Sequence, residues 1–224
     1  MKTVAVVPVR SGSKGLPGKN FRVLGGVPLW QRAVDQGAAL ADEVLVTTDA
    51  ADILDMPAQP GVRTVKRPAE LAQDDTPMAP VLTHLLTTEL DSAATIILLQ
   101  PTSPLRNLGD ITAASDLFAT GDWSMVMSVT EADRGVLKWG RVDGAAFRPL
   151  SDPGHSFTNR QSLPPVMRPN GAVYVFDRDR FLATRDFPSE KIGVHIMPPE
   201  RSHDIDTGAD FEKAEAMLAA QSSS

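Results

Sequence analysis

The sequence predicts an α/β domain of three layers, a mostly parallel sheet with helices on both faces. Apolar runs of strand length recur at 3–9, 43–48, 62–66, 95–100, 123–129, 171–177 and 192–197. Several are separated by segments whose apolar residues repeat at helical spacing, and such alternation marks a parallel sheet covered on both sides. At 224 residues, 42% of them hydrophobic, the chain can bury one sizeable core and still carry a small appendage.

The first run, "TVAVVPV", leads straight into "RSGSKGLPGKN" at 10–20, with three glycines and three cations. So many donors with so little side-chain bulk suit an anion held by backbone N–H groups and positive charge. Five residues separate Gly12 from Gly18, and Lys19 precedes Asn20, so this is neither the usual phosphate loop nor a dinucleotide fingerprint. A helix is expected at 28–41, then the strand at 43–48 with "TTD" at its end, where Asp49 reads as the cap of "AADIL". The run at 62–66 is followed by a helix at 78–90. The run at 95–100 ends in "QPTSPLR" at 100–106, and Asn107 caps a helix at 107–120. Trp123, Met125 and Met127 alternate as core residues of the next strand.

Residues 131–169, with Gly135, Gly140, Gly144, Gly154 and the Pro164-Pro165 pair, break the rhythm and read as an insertion. The strand rhythm resumes at 171–177 and 192–197. After it "DIDT" at 204–207 precedes a helix at 208–220, with Thr207 as its cap, Phe211, Ala214 and Leu218 inward, and Asp210, Glu212 and Glu215 on a wet face. The tail "AAQSSS" reads as a frayed end.

The net charge of −6 argues against a nucleic-acid binder, and the basic residues gather in the opening loop and in "NRQSLPPVMRPN", which suggests small anionic ligands. Cysteine is absent, which excludes disulfides and thiolate metal sites. No run is long enough to span a bilayer and no signal sequence opens the chain, so no membrane partner and a cytoplasmic location are expected.

Ligands of such sheets sit beyond the carboxyl ends of the strands, where the opening loop, "TTD", "QPTSPLR" and "DIDT" would gather. Arg10, Lys14 and Lys19 are expected to bind an anion, with Ser13 and Asn20 adding neutral donors. Asp204 and Asp206, two apart, would present both carboxylates on one side, and such hard oxygens suit Mg²⁺ shared with substrate phosphates. The competing reading makes one of them part of the entry to the next helix. Gln100 and Ser103 offer neutral hydrogen bonds, and Arg106 can pair with a carboxylate or phosphate. His84 and His195 read as structural, and His203 without thiols makes no zinc site.

Five stretches in order, "RSGSKGLPGKN" at 10–20, "RPAELAQDD" at 67–75, "LQPTSPLR" at 99–106, "RQSLPPVMRPNGAVY" at 160–174 and "DIDT" at 204–207, together resemble the acylneuraminate cytidylyltransferases, or CMP-sialic acid synthetases. The likeness covers nearly the whole chain. It implies a Rossmann-like nucleotidyltransferase fold made of residues 1–130 and 170–224, and a homodimer built partly by an arm at 131–169. The implied reaction joins CTP to a nine-carbon 2-keto sugar acid and releases pyrophosphate.

By the same resemblance Arg10, Ser13, Lys14 and Lys19 bind the triphosphate, Asn20 and Arg67 help hold the base, and Asp204 and Asp206 hold Mg²⁺. Arg10, Lys14, Lys19 and Asp206 carry the catalysis. Gln100, Lys138, Arg160, Tyr174 and Phe187 line the sugar-acid pocket by that resemblance, and Ser103, Arg106 and Asn170 are further candidates for the same pocket. Pro77 and Met78 stand in the base-binding segment where many relatives have a serine after "ELA", a departure that bears on cytosine as the base; "FP" at 187–188 stands where sialic acid enzymes often have two aromatics, so legionaminic and pseudaminic acids join sialic acid as candidate substrates. Two competing readings are a nucleotidyltransferase using GTP or UTP with a related sugar acid or sugar phosphate, and a nucleotide-binding module without turnover.

Overall fold

The computed structural model describes residues 1–222, with the side chains of 221 and 222 left aside. The strands are β1 (Lys2–Val9), β2 (Val23–Leu24), β3 (Val27–Pro28), β4 (Glu43–Thr48), β5 (Val62–Lys66), β6 (Ala94–Leu98), β7 (Met125–Ala132), β8 (Gly140–Asp143), β9 (Ala146–Pro149), β10 (Val166–Asp177) and β11 (Ile192–Ile196). The helices are α1 (Leu29–Ala38), α2 (Ala51–Leu54), α3 (Met78–Glu89), α4 (Leu108–Ala119), α5 (Arg178–Thr184) and α6 (Gly208–Ser222). Seven strands form the central sheet in the order β11-β7-β10-β6-β1-β4-β5. Every pairing in it is parallel except those of β10, which runs antiparallel to both β6 and β7.

Alternation along β1 builds the three layers. Ala5, Val7 and Val9 face α1 and α4 in one buried cluster, with Trp30, Val34, Ile111 and Ala114. Val4 and Val6 face the other way, onto Leu82, Leu85 and Leu86 of α3 and Phe181 of α5. A third cluster joins Leu16, Leu24, Leu29, Leu105, Ile205 and Phe211, so the opening loop, the loop after β6 and the "DIDT" stretch share one apolar anchor.

Several boundaries differ from the sequence expectation. Trp123 does not lie on the strand; β7 starts at Met125, and Trp123 packs against Gly193, where an added Cβ would approach its ring to 2.8 Å. The strand expected at 171–177 begins at Val166, and its register shifts between Pro169 and Tyr174. Asp49 caps nothing: α2 has no side-chain cap, and the Asp49 carboxylate accepts hydrogen bonds from the backbone N–H and hydroxyl of Ser11. The Thr207 cap is reciprocal, because Asp210 N–H donates to Thr207 Oγ1 at 3.3 Å and Thr207 N–H to Asp210 Oδ2 at 2.8 Å, which removes Asp210 from the expected wet face. The tail expected to fray is helical as far as Ser222, and residues 223–224 lie outside the described residues. Among the described residues no helix is long and apolar enough to cross a membrane.

Asn107 and Asp110 close the N-terminus of α4 as a capping box. Asp110, 2% exposed, also accepts two hydrogen bonds of 2.9 Å from the Arg201 guanidinium, and His195 Nε2 lies 3.2 Å away. Burial pushes the Asp110 carboxyl up, but Arg201, the Asn107 N–H and His195 outweigh it and leave it below the usual carboxylate range. A depressed folded value gives stability above the unfolded pKa, about 3.9, that is lost as pH falls through the folded one. Asp110→Asn is therefore expected to cost about 2 kcal/mol at pH 7 in urea unfolding, with the gap from the wild type closing at acid pH.

Candidate active site

Beyond the carboxyl end of β1 the chain leaves the sheet as the glycine-rich loop. Leu16, 5% exposed, anchors it, and Gly18 enters a short 3-10 turn, Lys19–Phe21, at φ 64°. A Cβ on Gly15 would lie 2.6 Å from the carbonyl oxygen of Asp206, so only glycine lets the loop rest on the "DIDT" backbone. The contact is reinforced by side chains. Lys19 Nζ sits 2.9 Å from Asp206 Oδ1 across 187 residues of sequence, with the lysine side chain 10% exposed and the carboxylate 74% exposed.

Lys19 and Asp206 line an open cleft together with Arg10, Asn20, Arg67, Gln100, Thr102 and Asp204. Pro8, Pro101 and Met78 supply its apolar surface. Asn20 donates from Nδ2 to the Arg10 carbonyl at 3.0 Å and so fixes the loop. Arg67 donates to the Thr47 carbonyl at 2.8 Å. Burial pulls its pKa down to about 10, against Asp49 and with Arg10, and it stays charged at neutral pH. Lys14, 87% exposed, and the half-buried Ser13 are on the same loop but not among the residues that line the cleft.

Asp204 is the electrostatic centre of the acidic side. Burial raises its carboxyl above the usual range and the Asp206 charge adds to that, while a hydrogen bond from Thr102 and the charges of Lys19 and His203 oppose it. Asp204 Oδ1 is buried without a hydrogen-bond partner. A buried, unpartnered oxygen beside a second, open carboxylate fits a hard cation that takes its remaining ligands from phosphates or water. Among the described residues no group of three or more His, Cys, Asp or Glu could hold a metal, so a cation here would depend on such outside oxygens.

Tyr174 on β10 is near enough for the Asp204 charge to add to burial in raising its pKa, and its ring centroid is 6.0 Å from that of Phe187. Three residues expected at the sugar side turn out to be framework. Arg106, 3% exposed, donates to the carbonyls of Gln100, Ser103 and Ala172 at 2.6, 3.2 and 3.2 Å. Its guanidinium is enclosed by backbone and has no open face for an anion. Ser103, fully buried, donates its hydroxyl to the Asn170 carbonyl at 3.4 Å. Asn170, 2% exposed, spends its amide on Ser128, Ala172, Ser202 and Met197, holding the irregular part of β10 to β7 and to the segment before Asp204.

Lys138 and Arg160 are also apart from the cleft. Lys138 ends a 3-10 turn of the insertion, and Arg160, 69% exposed, pairs with Asp133 at 3.0 Å. Around them β8 and β9 form a separate hairpin, and Trp139, Val142, Phe147, Leu150 and Phe157 are 54% to 93% exposed. Of the lining residues, Pro8, Pro101 and Thr102 were not singled out from the sequence, nor was Asp74. Asp74 takes an ion pair from Arg10 and lies 3.6 Å from Lys14.

A family model described as Cytidylyltransferase matches residues 4–213. The N-acylneuraminate cytidylyltransferase of Streptococcus agalactiae serotype V (strain ATCC BAA-611 / 2603 V/R) is 30% identical over 223 residues, 94% of this chain and 52% of that protein. The chain thus spans about half the length of that relative. The CMP-N,N'-diacetyllegionaminic acid synthase of Legionella pneumophila (strain Philadelphia 1) is 30% identical over 231 residues, covering 97% of each chain. Among solved structures, a CMP:2-keto-3-deoxy-manno-octonic acid synthetase complexed with CTP superposes with a TM-score of 0.70 at 19% identity, covering 99% of this chain and 100% of that one; at that identity the likeness speaks for the fold.

Proposed function

The chain belongs to the cytidylyltransferase family, and on that premise we propose that it transfers CMP from CTP to the anomeric hydroxyl of a nonulosonic acid and releases pyrophosphate. The observation that carries this reading is the Lys19–Asp206 contact, 2.9 Å across 187 residues, because it brings a phosphate-binding loop and an acidic pair to one cleft. Attack of a sugar hydroxyl on the α-phosphate forms a new P–O bond as the bond to pyrophosphate breaks, and negative charge gathers on the phosphoryl and pyrophosphate oxygens. Positioned cations are the chief requirement of such a step. Arg10, Lys14 and Lys19 supply them, with Ser13 beside them. Asn20 and Arg67 hold the nucleotide against Pro8 and Met78.

Asp204 and Asp206 would hold Mg²⁺, which supplies charge neutralisation at the phosphates. Gln100, Tyr174 and Phe187 form the wall for the sugar acid, and Ser103, Arg106 and Asn170 keep that wall in place. The exposed apolar side chains of residues 131–169 support a homodimer, since a patch of that kind is rarely left to water. Lys138 and Arg160, on the arm and outside their own cleft, then serve the partner's sugar-acid site. A cytoplasmic setting goes with CTP as first substrate. The test is pyrophosphate release with CTP, UTP and GTP in turn, with and without a nine-carbon 2-keto sugar acid; release is expected only with CTP, Mg²⁺ and the acid together.

A further inference from the structure

We propose that Asp74 is an internal rival of the nucleotide's phosphates: its carboxylate occupies the anion seat on Arg10 and Lys14, and a phosphate group must displace it to bind there. Arg10 Nη1 is ion-paired to Asp74 Oδ1 across 64 residues of sequence and also reaches the Gln73 carbonyl at 3.4 Å. Lys14 Nζ stands 3.6 Å from the other oxygen, Asp74 Oδ2. One carboxylate thus engages both cations with its two oxygens, as a phosphate group would. The Arg10 and Asp74 side chains are 27% and 26% exposed, so the pair is partly screened from water, whereas the Lys14 side chain is almost free.

The seat's remaining neighbours explain why an anion is drawn there. Arg67 lies close enough to Arg10 for the two positive charges to interact, and Asp49 answers Arg67 while its oxygens are taken by Ser11. Asp74 is therefore the group that answers Arg10. A ligand that must first expel it binds with its intrinsic affinity reduced by the fraction of molecules in which the seat is open. Such a toll falls on every phosphate ligand that uses the seat, so it weakens their binding without changing their ranking. Asp74 so becomes a residue that sets the affinity of the phosphate seat. Asp74 sits in the short stretch between the 3-10 turn Ala69–Leu71 and α3, the helix whose first residue, Met78, lines the cleft, so displacement of Asp74 acts on the segment next to the bound nucleotide.

The proposal rests on the reading of Arg10 as a triphosphate ligand, and calorimetry with inorganic tripolyphosphate on the full chain tests the two separately. Asp74→Asn is expected to bind tripolyphosphate about five- to tenfold more tightly than the wild type, the gain expected when a seat closed most of the time is freed. Asp75→Asn, an equal change in net charge at a neighbour with no ion pair among the described residues, should leave affinity unchanged. Asp74→Ala repeats the measurement should the Asn variant be misfolded by circular dichroism. Unchanged or weaker binding in both folded Asp74 variants, or an equal gain in Asp75→Asn, overturns the proposal. Arg10→Ala should lose affinity, and unchanged binding there would overturn the underlying reading of the loop instead.

Discussion

Asp206→Asn is expected to lower turnover by about two to three orders of magnitude, the usual cost of removing one charge-stabilising group from a reacting centre, while the chain still folds. The substitution keeps the side chain's shape and removes the charge that completes the acidic pair. Its stability cost is about 1–3 kcal/mol, because Asp206 is 74% exposed but its partner Lys19 only 10%, and the substitution leaves that largely buried ammonium without its charge partner. Asp204→Asn should be equally inactive and at least as stable as the wild type. Burial and the Asp206 charge raise the Asp204 carboxyl, and a carboxylate with a raised folded pKa stabilises the fold only at acid pH, that contribution being lost as pH rises through the folded value. Steady-state kinetics with thermal melts at pH 7 separate the effects. Full activity in Asp206→Asn at ordinary Mg²⁺ would mean that "DIDT" is only a helix entry.

The second large effect concerns the arm. Arg160→Ala should raise the Michaelis constant for the sugar acid about 30-fold or more, from the roughly 2 to 5 kcal/mol that truncating one member of a buried charge pair costs, and leave CTP binding nearly unchanged. Arg160 reaches the acid from the partner subunit in this account. Mixing the Arg160→Ala chain with the Asp206→Asn chain should therefore restore activity, since a mixed dimer holds one cleft with an intact acidic pair and an intact partner arm. Random exchange puts about half the dimers in that state, each with one working cleft, so about a quarter of the wild-type rate is expected at a sugar-acid concentration near the wild-type Michaelis constant, where Arg160→Ala homodimers are nearly silent. No recovery on mixing would place Arg160 at its own cleft, and a persistent active monomer in light scattering would remove the arm's role altogether.

The parts of this molecule that could be read from its sequence are those where one physical rule dominates. The run "TVAVVPV" becomes a fully buried central strand because its residues are apolar on both faces. Arg10, Lys19, Asn20, Arg67, Gln100, Asp204 and Asp206 meet in one cleft because each follows a strand or its loop at the same edge of the sheet. Strand direction is another matter: an apolar run reads the same either way, so the antiparallel path of β10 left no trace in the sequence. Polar residues were the hardest. Nothing in "QPTSPLRN" separates Gln100, which lines the cleft, from Arg106, which backbone carbonyls enclose, since only the fold decides which of two donors is buried. Asp74 is one of two adjacent acids in "QDD", and its meeting with Arg10 exists only after the chain has folded.

The most direct test of the central claim is the mass of the product formed from CTP and Mg²⁺ with sialic, legionaminic and pseudaminic acids in turn. The account predicts a new species whose mass equals CTP plus one of these acids minus pyrophosphate, formed about two to three orders of magnitude more slowly when Asp206→Asn replaces the wild type. Pyrophosphate release that needs no acid, or no such species with any of the three, would contradict it.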